Sequence, residues 1–430
     1  MVNYANPTFE NIVLYSATLI ENAALGGFTP STPVVYSTTI LGIGAGGSNS
    51  FSNTAFGFGA LNSSPNTAGN TAVGAWALNQ VSTGQGNTAV GAAAGSNVTT
   101  ASFNTFFGQQ AGQSVTGGSA NCAFGHGAMT GQDAVKVQCT GDYNSGFGNW
   151  ALQGCTTGNF NVCLGAGAGT YITTGSNNVL IGTQVGGQNP LNTSTPGTYA
   201  LLTGGNNTVV GTSAMQLVTS SVSNNTAIGY QALRNDRLGS QVAVGYNALQ
   251  ASTTGQTNTA VGNQALTTST TGTNNVAVGN QALQLLTTST DNVAVGNVAL
   301  YGLTTGLANV AIGSRAGYGA TGTQQSLTDT ECVFIGADAA RDASVGGATL
   351  SNAISIGFNA SVATSNTAVI GNSSLTNIIF GGDTAGPQIS WGSTAPSIAP
   401  TSGAGIYFRI GGGTGSSLYN YSSGAWHAIA

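Results

Sequence analysis

Apolar and polar positions along this chain repeat as one short phrase. Asparagine is followed by a small or β-branched residue, alanine, a larger apolar residue and glycine, and a second alanine comes three residues later. The cleanest copies are Asn258-Thr-Ala-Val-Gly262-Asn-Gln-Ala-Leu266, Asn275-Val-Ala-Val-Gly279-Asn-Gln-Ala-Leu283 and Asn292-Val-Ala-Val-Gly296-Asn-Val-Ala-Leu300. Eighteen copies run from Gly57 to Gly371, most of them stepping by 17 residues. The residue before the glycine is apolar in all eighteen. Alanine follows three residues later in sixteen, with Val185 and Ser374 as exceptions. Asparagine stands four residues earlier in fourteen, with Gln241 as a close substitute. A fixed period this short predicts the stacked coils of one solenoid, each burying its apolar face on its neighbours. Within a copy, the residues before the glycine predict a short strand ended by a residue free to take positive φ. Alternation puts Val276 and Val278 on one face and Ala277 on the other. Both faces are apolar, as in a strand covered on both sides. One face fills the narrow coil, and the other requires cover from a second element or a second subunit. The stacked asparagines are placed for a ladder of side-chain hydrogen bonds at the turn.

The Asn-x-Ala-Val/Ile-Gly-x-x-Ala unit resembles the head repeat of trimeric autotransporter adhesins, the YadA-type left-handed parallel β-roll; similar repeats occur in fibre and tail-fibre proteins of phages and other viruses. The resemblance covers about residues 41–375. It implies an all-β, left-handed parallel β-roll or solenoid of about 17-residue coils, assembled as a homotrimer whose flat strands face the three-fold axis. That expectation assigns trimer packing to Ala260, Ala277 and Ala294. The period departs from the shorter repeat of the adhesin family, and the surplus is read as longer outer turns.

Residues 1–40 lack the repeat and hold an apolar stretch, Phe9 to Ile20, followed by Pro30 and Pro33. They are expected to cap the first coil, attach the chain to a virion or fibre shaft, or do both. Residues 41–375 form the repeat body, and 376–430 a Pro-containing linker and a C-terminal β cap or tip. Three short strands are expected there, at Gly405–Ile410, Ser417–Tyr421 and Ala425–Ile429, similar to the small β-structured ends of many viral fibres. Tyr407, Arg409, Tyr419, Tyr421, Trp426 and His427 are candidates for an aromatic receptor-binding surface, with the core of a small trimeric cap as the alternative.

Composition narrows the function classes. Charged residues make up only 4%, and with 67 glycines among many Thr, Ser and Asn, solubility rests on hydroxyls and amides. Six basic residues and a net charge of −5 argue against nucleic acid, which requires clustered Lys and Arg. The N-terminus has no basic region followed by an apolar core, and no apolar run is long enough for a membrane helix. A bacterial autotransporter requires export and an anchor, so this reading favours a virion protein, placed on the particle surface without membrane insertion. Cys122, Cys139, Cys155, Cys163 and Cys332 match no zinc spacing. They are read chiefly as small hydrophobes, with a disulfide among 122–163 as the alternative. Gly-Ile-Gly-Ala-Gly-Gly at 42–47 superficially suggests a dinucleotide loop but lacks the helix that such a loop opens. His126 and His427 are the only histidines, and nothing nominates triad partners for either. No catalytic residue and no cofactor is therefore expected.

The expected function is a structural and adhesive fibre of a virus or phage particle, a homotrimer that presents loops or a tip to a host surface receptor, a glycan among the options. The alternatives are an ice-binding solenoid, with hydroxyls from tracts such as Thr267–Thr273 and Thr287–Thr290, and a bacterial cell-surface adhesin or filament subunit. Three surplus segments are candidate contact loops. Lys136, Asp142 and Tyr143 fall in the first, Asn189, Pro190 and Tyr199 in the second, and Tyr318, Gln324 and Gln325 in the third.

Overall fold

The computed structural model describes residues 52–63, 67–131, 138–186, 203–218, 221–318, 327–346 and 348–375, together with the backbone strands 39–41, 377–379, 388–392, 406–409, 417–422 and 425–429. Lys136, Asn189, Pro190, Tyr199, Gln324, Gln325 and the Gly-rich segment 42–47 lie outside the described residues.

Each repeat forms a three-residue strand, and successive strands pair in parallel into one 19-stranded sheet. Register follows the sequence period, with Ala260 beside Ala277 and Ala277 beside Ala294. The ladder begins at Thr39–Leu41, paired with Thr54–Phe56, and ends at Ala368–Ile370. It continues across the longest step in the repeat, where Val179–Ile181 pairs with Thr208–Val210. The first strand adds a copy beyond the eighteen, and its signature is present in the sequence: Gly42 follows Leu41, and Ala45 comes three residues later. No α-helix occurs among the described residues; the one helical turn is 3-10, at Ala343–Val345.

The coil is thin, and its interior is built from fixed columns. The middle strand residue, the alanine three after the glycine and the leucine that follows it are all buried, as at Ala277, Ala282 and Leu283. The trimer role expected for Ala260, Ala277 and Ala294 is therefore corrected. These alanines are enclosed within a single chain, pointing into their own coil. Alanine takes the middle position in most coils, and the Val, Ile, Leu and Phe residues at the third position turn outward.

Coil thickness also dictates the glycine. At Gly262 (φ +141°) a Cβ would lie 2.2 Å from the carbonyl oxygen of Gly279 in the next coil. Neither a side chain nor the usual negative φ fits. The turn beyond it carries two further left-handed residues that are not glycine, Gln264 (φ 55°) and Leu266 (φ 51°). This conformation is uncommon for a bulky residue. It is held by coil-to-coil hydrogen bonds such as Leu266 N to Ala282 O, 3.0 Å.

The asparagine ladder forms along the buried corner. Asn275 N and Nδ2 donate to Asn258 Oδ1 at 3.0 and 3.1 Å, and Nδ2 also donates to Ser289 O at 2.8 Å. Asn275 Oδ1 in turn accepts from Asn292 N and Nδ2 at 3.0 and 3.1 Å. Every polar atom of the amide is satisfied without water, as burial requires. Gln241 keeps the ladder continuous where the coil is one residue short. Its N donates to Asn225 Oδ1 (2.9 Å) and its Oε1 accepts from Asn258 Nδ2 (3.1 Å), while buried Asp236 accepts from Asn225 Nδ2 (3.1 Å) and Gln241 Nε2 (2.9 Å).

Beyond the solenoid, five strands form a separate sheet in chain order: Asn377–Ile379, Gln388–Gly392, Ile406–Arg409, Ser417–Ser422 and Ala425–Ile429. The second and third pair in parallel and the other neighbours antiparallel. Three strands were expected in this region; the two additional ones precede them, Asn377–Ile379 just past the repeat body and Gln388–Gly392 within the Pro-containing linker.

Candidate functional site

The first and third residues of each strand face outward, and the third is large and apolar throughout. Phe56, Phe107, Phe124, Phe147, Leu164, Ile228, Val295, Ile312, Ile335 and Ile370 are all exposed in the single chain. Stacking in register aligns these side chains into a column. Phe107 and Phe124 stack with ring centroids 4.7 Å apart and planes within 6°, and Phe124 and Phe147 continue the stack at 6.0 Å. Beside them the first strand position carries Thr or Val in most coils, with Cys122, Ser145, Ile354 and Ala368 as exceptions. The result is a flat apolar strip along the sheet. Monomeric soluble proteins rarely expose a contiguous apolar surface of this kind without using it. The sequence signal was the invariant apolar residue before the glycine. Its direction follows from the burial of the middle residue, which leaves the first and third positions on the outer face.

A second aromatic column lies one residue before the asparagine ladder. Phe103 is 71% and Tyr143 57% exposed, and Tyr143 stacks on Phe160 at 5.1 Å with the planes 5° apart. All three take positive φ, between 56° and 61°, an unusual state for aromatic residues. Tyr143 therefore sits on a repeat corner instead of in a projecting loop. Asp142 is also part of the coil, its Oδ1 accepting from Ser119 N at 2.6 Å. Both were placed in the first insertion from sequence, and the described coil resumes ahead of them at Cys139, bridged to Val115.

Of the tip candidates, Tyr407 and Arg409 lie on Ile406–Arg409, Tyr419 and Tyr421 on Ser417–Ser422, and Trp426 and His427 on Ala425–Ile429. Backbone register sets Tyr407 opposite Tyr419, Tyr421 opposite Trp426 and His427 opposite Asn420. Their side chains lie outside the described residues.

All five cysteines are free thiols. Cys139 and Cys155 stack in adjacent coils with Sγ atoms 2.9 Å apart. The Cys155 thiol is pushed well up by its hydrogen bond with Cys139 and by burial. Burial alone pushes up Cys163, in the middle of a strand. Cys332 takes the ladder position, its N donating to Asn309 Oδ1 at 3.0 Å, and burial raises its thiol to about 11. At Cys332 the Arg341 charge acts downward but burial and the Asp329 carboxylate outweigh it, so all three thiols are held in the protonated, unreactive form. Among the described residues no cluster of three or more His, Cys, Asp or Glu is arranged to hold a metal, and no helix is long and apolar enough to cross a membrane.

No protein-family model matches the chain, and no curated protein matches it.

Proposed function

We propose that the chain is a structural and adhesive fibre protein of a virus or phage particle, working as a homotrimer packed through the outer faces of its sheets, with the coil left-handed as in the repeats it resembles. The observation that carries this reading is the apolar strip. Nineteen strands at about 4.8 Å spacing give a rod roughly 85 Å long, and three residues of strand give it a width of about 10 Å. That is roughly 850 Å² per chain, close to the ~800 Å² per partner of a stable protein–protein interface. A rod with a flat apolar strip along its sheet closes most simply around a symmetry axis. Three copies of a weak receptor site then act together, with the C-terminal sheet as cap or tip and residues 1–40 as cap or attachment segment.

The ice-binding alternative loses support from the threonines themselves. Thr268 Oγ1 donates to Gln284 O (2.6 Å), Thr270 Oγ1 to Thr287 O (3.2 Å) and Thr287 Oγ1 to Thr304 O (3.1 Å). These hydroxyl protons stitch one coil to the next and are not presented to a lattice of water. The test of the fibre reading is labelling: an antibody fragment against the C-terminal sheet, imaged on intact particles, should decorate the ends of thin projections. Label confined to the particle interior, or absent from particles, would refute it.

A further inference from the structure

In a chain that is 4% charged, charge gathers at one end of the solenoid. Residues 315–342 hold two of the six basic and four of the eleven acidic residues. Two of the pairings there are direct. Arg341 Nη1 meets Asp329 Oδ1 at 2.9 Å with both side chains buried, and Arg341 Nη2 donates to Gly346 O at 3.0 Å and also to Ala348 O. Above this rigid pair, Arg315 Nε meets Asp338 Oδ1 at 2.8 Å, and the guanidinium lies 5.9 Å from the centre of the Tyr318 ring. Arg315, Asp338 and Asn359 hold the same position in three successive coils, two residues past the glycine, so their planar polar groups stack as rungs. The backbone bonds fix the stack: Asp338 N donates to Ser314 O and Asn359 N to Ala337 O, both at 2.9 Å. Beside the rungs Phe358 is 67% exposed, and its counterparts in the two preceding coils are the small residues Ala337 and Ser314. The ring thus forms a shelf with an open face. Together with Tyr318 and Ser361 these groups line a cleft of about 290 Å³, near the lower end of the range for small-molecule sites.

We propose that this cleft binds a neutral saccharide, and so supplies the glycan contact of the adhesive reading on which the proposal rests. The chemistry is matched on each side. A pyranose ring lays its apolar C–H face on the Phe358 shelf. Its hydroxyls donate to the Asp338 carboxylate in charge-assisted hydrogen bonds, the stronger kind, exchange bonds with the Asn359 amide, and accept from the Arg315 terminal nitrogens. Both arginines are already neutralised by a carboxylate, so the cleft carries no surplus positive charge for an acidic sugar. Preformed polar rungs on a rigid coil keep the ordering cost of binding low.

The experiment exposes the full-length protein to an immobilised panel of neutral and acidic oligosaccharides, then titrates the best ligand by isothermal calorimetry against the protein and the variants Asp338→Ala, Asn359→Ala, Phe358→Ala and Trp426→Ala. Alanine already occupies this column at Ala93 with φ 56°, so the first two variants keep the coil, which circular dichroism checks. The expected result is saturable binding of a neutral saccharide, weakened at least tenfold by Asp338→Ala and by Phe358→Ala and unchanged by Trp426→Ala. Absence of binding across the neutral panel, a preference for acidic sugars, or affinities within twofold of the parent in Asp338→Ala and Phe358→Ala would each overturn the proposal. Oligomer mass is measured on the same samples. A monomer that binds sugar removes the fibre reading and keeps the cleft, whereas a trimer that binds none removes the cleft alone.

Discussion

Single positions in this chain are constrained less by their own conformation than by the equivalent position one coil away. Asn275 illustrates this, since its amide bonds to the coil before and the coil after it. Asn275→Ala strands Asn292 N and the Ser289 carbonyl in the interior, at about 1–3 kcal/mol for each buried group left unpaired. Thermal denaturation should show a drop of several degrees, and an unchanged midpoint would contradict the ladder's role. Asp236 is the opposite case, a buried carboxylate without a cationic partner among its hydrogen-bond contacts. Burial raises its pKa from 3.8, although Leu238 N, Gly239 N and Gln241 donate to it and act the other way. With the folded value above the unfolded one, the folded state holds the proton more tightly. Stability from this group is then present at low pH and lost as pH rises from the ordinary carboxylate value through the raised one. The midpoint of Asp236→Asn minus that of the parent should therefore be larger at pH 7 than at pH 4. A pH-independent difference would show that Asp236 does not titrate abnormally.

At the scale of the coil, volume is conserved by exchange between columns. Where the middle strand residue is large, as at Phe106, the leucine column turns to glycine in the same coil and in the coil before it. A Cβ at Gly95 would lie 2.8 Å from the Phe106 ring, and one at Gly112 only 2.3 Å away. Leu180 is flanked in the same way by Gly169 and Gly186, and Phe334 presses on Gly317. Phe106→Ala should cost about 3–5 kcal/mol by opening a cavity, and Gly112→Leu alone should be destabilising by overpacking. Combined, they restore the alanine–leucine pairing of the other coils, so the double variant should be more stable than either single one in a denaturant melt. Additive losses would refute the exchange. Most of this element was legible in the sequence: strand positions, parallel stacking, the ladder and the glycine are all consequences of phase. The direction of the strand was not. Alternation alone leaves open which apolar face turns inward, and Ala277 was assigned to the wrong side because the interior width of the coil is a three-dimensional quantity. The cleft at Arg315, Asp338 and Asn359 was hidden for a related reason. Steps of 23 and 21 residues separate its rungs, from Gly313 to Gly336 to Gly357, and only the aligned coils bring them together.

For the whole molecule the decisive feature is an apolar strip that a single chain leaves uncovered. Inner and outer faces of one strand separate folding from assembly. Ala277→Arg buries an unpaired charge inside the coil and should abolish folding itself. Val278→Arg, one residue away and outward-facing, should leave the circular dichroism spectrum intact while lowering the oligomer mass. Equal damage from both variants would mean that the outer face is not a subunit interface. The most direct test of the account is the mass of the purified chain by sedimentation equilibrium across a hundredfold dilution. The account predicts a single species of three times the chain mass at every concentration. A folded monomer persisting at the highest concentration, or a series of open-ended polymers, would contradict it.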